Sequence, residues 1–256
     1  MTLKQMMAAG CIAALGTAAM ADGHGGKVKV GMITTLSGGG AGLGIDVRDG
    51  FMLAAKGNEA LELVIEDDQR KPDIAVQLAD KLIQSEKVDV MTGIIWSNLA
   101  MAVVPAATAQ GKFYLSPNAG PSALAGRGCH KNYFNVSWQN DAFSEAAGAY
   151  LSAQGVGKVF LMAPNYPAGQ DMMKGFKRFF SGEVTDEVYT KLGQTDYAAE
   201  IAQIRASDAD QVYFFLPGGM GISFMKQFAG SGVDKPVAGP AFSFDQGILG
   251  AIGEAA

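Results

Sequence analysis

The sequence has 256 residues, 48% of them apolar and 18% charged, with 34 glycines, two cysteines and two histidines. That balance supplies a sizeable core and excludes disordered and collagen-like chains. The formal charge is −5 and Lys and Arg form no dense cluster, so the electrostatic footprint of a nucleic-acid binder is missing.

Lys4 precedes an uncharged run from Met6 to Met20, and Ala19-Met20-Ala21 is a small-x-small site just before Asp22. Residues 1–21 therefore read as a cleavable export signal that sends the chain to the periplasm. The competing reading, a membrane anchor, needs about 20 apolar residues, and Gly10 and Gly16 interrupt this shorter run. Ala8-Ala9-Gly10-Cys11 faintly resembles a lipoprotein box but follows Lys4 too closely to leave room for an apolar stretch. Cleavage leaves Cys129 as the single thiol. An unpaired cysteine in an oxidising compartment is explained if its partner lies on sequence outside this chain.

Apolar strand-like runs follow at 27–36, 61–66, 88–95, 112–115, 158–162 and 211–216. Between them, residues 46–56, 73–84, 99–109, 141–154, 170–180, 198–206 and 221–229 carry apolar positions at helical spacing. Strand alternating with helix predicts an α/β fold, doubly wound on parallel sheets. The pattern lapses at 116–129 (SPNAGPSALAGRGC), where the chain is expected to pass between lobes. Residues 133–138 would be the crossing strand, and Asn140-Asp141 the cap of the first helix beyond it. The expectation is two lobes, 22–137 and 138–256, with a cleft and hinge between them. Residues 245–256 read as an uncapped helix start at which the chain stops mid-element.

The segment Ser37 to Gly44 (SGGGAGLG) follows a strand and opens a helix, where backbone N–H groups collect anions. It has neither the Gly-Lys-Ser/Thr ending of a P-loop nor a G-x-G-x-x-G register, which argues against nucleotides. A small acid held by backbone donors and the Ser37 hydroxyl fits the loop, as does a simple tight turn that needs glycine.

Catalytic and metal-binding readings find little support. His24 lies just past the cleavage site, Cys129 and His130 are sequence neighbours that read as structural, and no G-x-S-x-G elbow occurs. Two His and one Cys offer no zinc spacing, and Glu66-Asp67-Asp68 lacks the other ligands of a calcium loop, reading instead as a solvated, helix-capping strand end. No cofactor or metal is expected. The strand ends carry different content: Trp96-Ser97-Asn98, Ser116-Pro117-Asn118-Ala119-Gly120, Asn165-Tyr166-Pro167, Pro217-Gly218-Gly219 and Phe242-Ser243-Phe244. In doubly wound sheets these ends form the ligand crevice. Trp96 or Tyr166 taken alone is equally consistent with core, and only their common placement favours a site.

In the order VKVGMITTLSGGGAGLG, VRDGFMLA, VIEDDQRKP, GIIWSN, SPNAG and TDYAAEIAQIRASDADQVYFF, the chain resembles a type I periplasmic solute-binding protein of ABC transporters, the leucine/isoleucine/valine-binding family. The resemblance runs from Lys27 to Ala256. It implies a non-enzymatic receptor, acting as a monomer, that closes on a small carboxylate and delivers it to permease subunits in the membrane. It also implies a ligand carboxylate meeting Ser97 and groups around Trp96, Asn118, Ala119 and Gly120, with Leu43 and Gly44 nearby and Tyr166, Gly218 and Phe242 closing from the second lobe. Amino-acid binders of this kind place a Thr where this chain has Gly120, and an acid for the ammonium where it has Ala241 or Phe242. A cleft offering Trp96, Phe242 and Phe244 suits an aromatic or other apolar carboxylic acid, while Asp245 is a candidate partner for an ammonium. The family is longer by about a third, so the first lobe is expected to be incomplete here. The other readings are a sensory or regulatory domain of the same fold, and a secreted enzyme using Cys129 or the Asp67, Asp68 pair.

Overall fold

The computed structural model describes residues 26–253. The export-signal and lipoprotein readings, Cys11, His24 and the last three residues of the C-terminal helix expectation lie outside the described residues.

The first apolar run forms β1 (Val28–Thr34), whose second half is wholly buried, as a central parallel strand requires. It is followed by α1 (Ala41–Ala55), β2 (Leu61–Asp67), α2 (Pro72–Asp80) with a π-helical turn at Lys81–Ser85, β3 (Val90–Thr92), α3 (Ser97–Ala109), β4 (Phe113–Ser116), α4 (Ser122–Ala125) and β5 (Tyr133–Asn135). These strands form one parallel sheet in the order β2-β1-β3-β4-β5. The expected crossing strand is therefore the edge of the first sheet, and the irregular segment at 116–129 stays beside that sheet. Its Pro and Gly accommodate a short helix and tight turns without leaving the sheet.

The chain then enters α5 (Asn140–Ala153), β6 (Lys158–Pro164), α6 (Pro167–Phe179), β7 (Glu183–Thr190), α7 (Ala198–Ala206), β8 (Gln211–Phe214), α8 (Gly219–Gly230), β9 (Val237–Ala238) and α9 (Gln246–Ile252). A second parallel sheet runs β7-β6-β8-β9. The expected α/β fold of two doubly wound lobes is what the structure has.

Three local expectations differ. Strand β7 was not anticipated, because its sequence EVTDEVYT carries three acids. It is an edge strand, where one side meets solvent and Lys177 and Lys158 pair with Glu187 and Glu183. Asn140 does not cap α5: the N-cap is Gln139, with no side-chain cap bond. Helix α9 is not uncapped, since Asp245 accepts from the Ile248 N–H at 2.8 Å and Gly253 closes the helix at φ +68°. Among the described residues no helix is long and apolar enough to cross a membrane.

Candidate ligand-binding site

The loops leaving the carboxyl ends of β3, β4, β6 and β8 wall a cavity of about 80 Å³ between the two sheets. Trp96 is its first fixed point. The indole is buried, and Nε1–H donates to Thr35 Oγ1 at 2.9 Å. The Thr35 hydroxyl in turn donates to Asp68 Oδ1 at 2.6 Å, an oxygen that also accepts the Arg70 N–H at 2.7 Å. Arg70 lies over the indole, 5.5 Å from its centroid. Asp68, the last acid of the strand end expected to be solvated, is thus a buried device for orienting Trp96, while Glu66 and Asp67 stay part-exposed. The Asp68 side chain is fully enclosed, its Oδ2 has no partner, and burial holds its carboxyl above the ordinary carboxylate range.

From Trp96 the wall continues as rings. Tyr166 sits 6.2 Å away across the cavity and stacks on Phe215 at 6.3 Å; Phe215 meets Phe242 edge-on at 5.9 Å, and Phe242 stacks on Trp138 at 5.9 Å. Burial pushes the Tyr166 hydroxyl far above its usual range, so it stays a neutral donor.

The polar content of the wall is small and uncharged. Ser97 is the first residue of α3, Asn118 donates from Nδ2 to the Ile95 carbonyl at 3.0 Å, and Asn140 donates to Ser97 Oγ at 3.1 Å. Ser97, Ala168 and Gly218 mark the N-termini of α3, α6 and α8, so three helices of 12 or 13 residues turn their positive ends toward the cavity. Such a site suits an anion presented with an apolar body.

Of the residues anticipated from sequence, Leu43, Trp96, Ser97, Asn118, Ala119, Tyr166, Gly218 and Phe242 line this cavity. Ser37, Gly44 and Gly120 do not. Ser37 is exposed and its hydroxyl serves the Asp67 carboxylate, which also accepts the Leu36 and Gln69 N–H groups. These bonds hold the Asp67 carboxyl below its usual range despite partial burial. A Cβ on Gly44 would overlap the Thr35 carbonyl, so that glycine lets α1 lie against β1. A Cβ on Gly120 would overlap the Trp138 carbonyl and come within 2.7 Å of the Asn135 amide. At Gly120 the chain therefore has backbone packed in the place of a side chain.

Phe244 turns away from the cavity to pack edge-on against Phe214 at 5.8 Å, and Asp245 caps α9 beside a separate outer groove of about 350 Å³. The glycine-rich turn, Gly38 to Gly42, lines that groove. Trp138, Asn140, Phe215 and Met172 line the cavity unannounced by sequence; only the aromatic pair had a signal, as rings next to a crossing or strand end. His130 Nδ1 accepts the Asn132 N–H at 3.1 Å and the Cys129 thiol is exposed. Among the described residues no group of three His, Cys, Asp or Glu gathers around a common point.

A family profile described as "Periplasmic binding protein" matches residues 27–256. The Leu/Ile/Val-binding protein homolog 6 of Brucella melitensis is 29% identical over 219 residues, 80% of this chain and 55% of that protein. The chain thus spans about half the length of the curated relatives it matches. An ABC-transporter solute-binding protein of R. palustris, solved in complex with benzoate, is 33% identical with a TM-score of 0.86, covering 90% of this chain and 66% of that one. A second, from Rhodopseudomonas palustris BisB5 in complex with 3,4-dihydroxybenzoic acid, is 30% identical with a TM-score of 0.83 over the same shares. The branched-chain amino acid binding protein LivJ of Streptococcus pneumoniae, in complex with isoleucine, shares the fold at 22% identity and a TM-score of 0.75, covering 88% of this chain and 67% of that one.

Proposed function

This chain belongs to the periplasmic binding protein family, and on that premise we propose that it is the substrate-binding component of an ABC importer for an aromatic carboxylic acid. Exported to the periplasm by residues 1–21, it works as a monomer, captures the acid between its lobes and hands it to the permease subunits. The α3 N-terminus with Ser97 and Asn118 receives the carboxylate, and Trp96, Tyr166, Phe215 and Phe242 sandwich the ring. The observation that carries this reading is Phe242. It stacks on Trp138 in a cavity whose lining carries no acidic side chain, so an α-ammonium entering here is desolvated without a counter-charge. Two of the solved relatives at 30% identity or more carry benzoate and 3,4-dihydroxybenzoic acid, which supports the same choice. They are transport proteins, which favours import over regulatory sensing.

Both tryptophans of the chain, Trp96 and Trp138, line the cavity, so intrinsic fluorescence reads the site directly. Benzoate is expected to change that emission saturably and, at 100 times its dissociation constant, to stabilise the fold by about 2.7 kcal/mol. Isoleucine and phenylalanine are expected to do neither. A response to the amino acids with none to benzoate would overturn the choice of ligand class.

A further inference from the structure

Asn140 stands where the chain leaves the first sheet for the second. Its backbone N–H donates to the Gly120 carbonyl at 2.8 Å, which ties it to the loop after β4. The residue is 3% exposed and spends one amide hydrogen on each side of the crossing. One goes to Ser97 Oγ at 3.1 Å, on the first lobe, and one to Asp171 Oδ2 at 3.0 Å, on α6 of the second. The orientation of the amide follows from chemistry, since a carboxylate only accepts and must face the NH2 end. Asp171 Oδ2 also accepts the Ser122 N–H at 2.9 Å, a second bond between the lobes.

The consequence falls on Ser97. A hydroxyl that accepts from Asn140 has its own hydrogen free to donate elsewhere, and Ser97 faces the cavity. We propose that Asn140 is a positioning residue that couples closure to capture: with the lobes closed, the Asp171–Asn140–Ser97 chain holds the Ser97 hydroxyl as a donor to the ligand's carboxylate, and opening the lobes breaks the chain. Asn140 acts through Ser97 and Asp171 rather than on the ligand. This rests on the reading of the cavity as a carboxylate site between closing lobes.

The test is benzoate binding to the full chain by stopped-flow fluorescence. Asn140→Ala is expected to weaken binding about ten- to a hundredfold, mostly through faster dissociation, because the closed complex loses its tie while encounter is unchanged. Asp171→Ala should weaken it in the same direction. The double variants Asn140→Ala/Ser97→Ala and Asn140→Ala/Asp171→Ala should lose little more than the worse single variant, since members of one chain are not additive. Additive losses, an effect on association alone, or affinity within about twofold of the parent for Asn140→Ala would overturn the proposal. Asn140→Ser replaces a variant that fails to fold.

If the parent chain binds no benzoate, the functional reading fails while the coupling is still measurable. Spin labels at exposed Lys56 and Lys174, with both cysteines changed to serine, report the distance between lobes in ligand-free protein. Asn140→Asp, which sets two carboxylates against each other, is expected to shift the distribution to longer distances. An unchanged distribution would overturn the proposal by itself.

Discussion

Replacing Gly120 by Ala tests how the crossing between lobes is built. The added Cβ has no free direction, because it meets the Trp138 carbonyl and the Asn135 amide, and the two are themselves joined by a hydrogen bond from Asn135 Nδ2 to the Trp138 carbonyl. The neighbour to be displaced is backbone, so a rotamer change gives no relief. Overpacking against such a wall costs about 1–3 kcal/mol. Moving that backbone also strains the Asn140 N–H bond to the Gly120 carbonyl, worth about 1 kcal/mol. The sum is about 2–4 kcal/mol, or a fall in Tm on the order of 10 °C for a chain of this size. Because Trp138 lines the cavity, benzoate affinity should fall alongside stability. Urea unfolding followed by far-UV circular dichroism measures the first quantity and fluorescence titration the second. A stability loss under about 0.5 kcal/mol with an unchanged m-value would refute the argument, since it would mean the carbonyl yields freely.

Other outcomes follow from the same geometry. Ser37→Ala should leave benzoate affinity within about twofold of the parent, whereas Ser97→Ala should weaken it about tenfold, in fluorescence titrations run side by side. Phe242→Glu should abolish benzoate binding and admit an amino acid, read by calorimetry with benzoate and isoleucine; retained benzoate affinity would remove Phe242 from the site. Asp68 gives a pH dependence with a definite sign. Its folded pKa is raised by burial above an unfolded value near 3.9, so its stabilising contribution is complete below the unfolded value and is lost as pH rises through the folded one. Asp68→Asn should therefore gain on the parent as pH rises from about 4 toward neutrality, followed by Tm across that range. A difference that does not change with pH would show that Asp68 is not the titrating group.

What the sequence made legible follows the physics of each signal. Strands β1, β3, β6 and β8 are buried on both faces, so their apolar runs stood out, and the residues just past β3, β4 and β6 at Trp96, Ser97, Asn118 and Tyr166 could be named as strand ends. Strand β7 hid because an edge strand is free to carry Glu183, Asp186 and Glu187. Asp68 read as solvated because acids ordinarily are, and only the packing of Thr35 and Trp96 around it says otherwise. Asn140 read as a helix cap, a local role, while the structure gives it partners 43 and 31 residues away. Ser37 was misplaced for the same reason, its partner Asp67 lying on a neighbouring strand.

The cavity divides its chemistry between the lobes. On the proposed reading the donors for an acidic head, Ser97 and Asn118, leave the first sheet together with Trp96, and the other rings that meet the tail, Tyr166, Phe215 and Phe242, leave the second. The head is thus held by one lobe, and three of the four rings that meet the tail come from the other. On that reading a different tail can be accommodated by substitutions at the three second-lobe rings, while the first lobe keeps its grip on the acidic head. A lineage that exchanges rings for smaller or charged side chains on the second lobe inherits a working head-group clamp intact, and a single scaffold can follow whichever organic acids its surroundings supply.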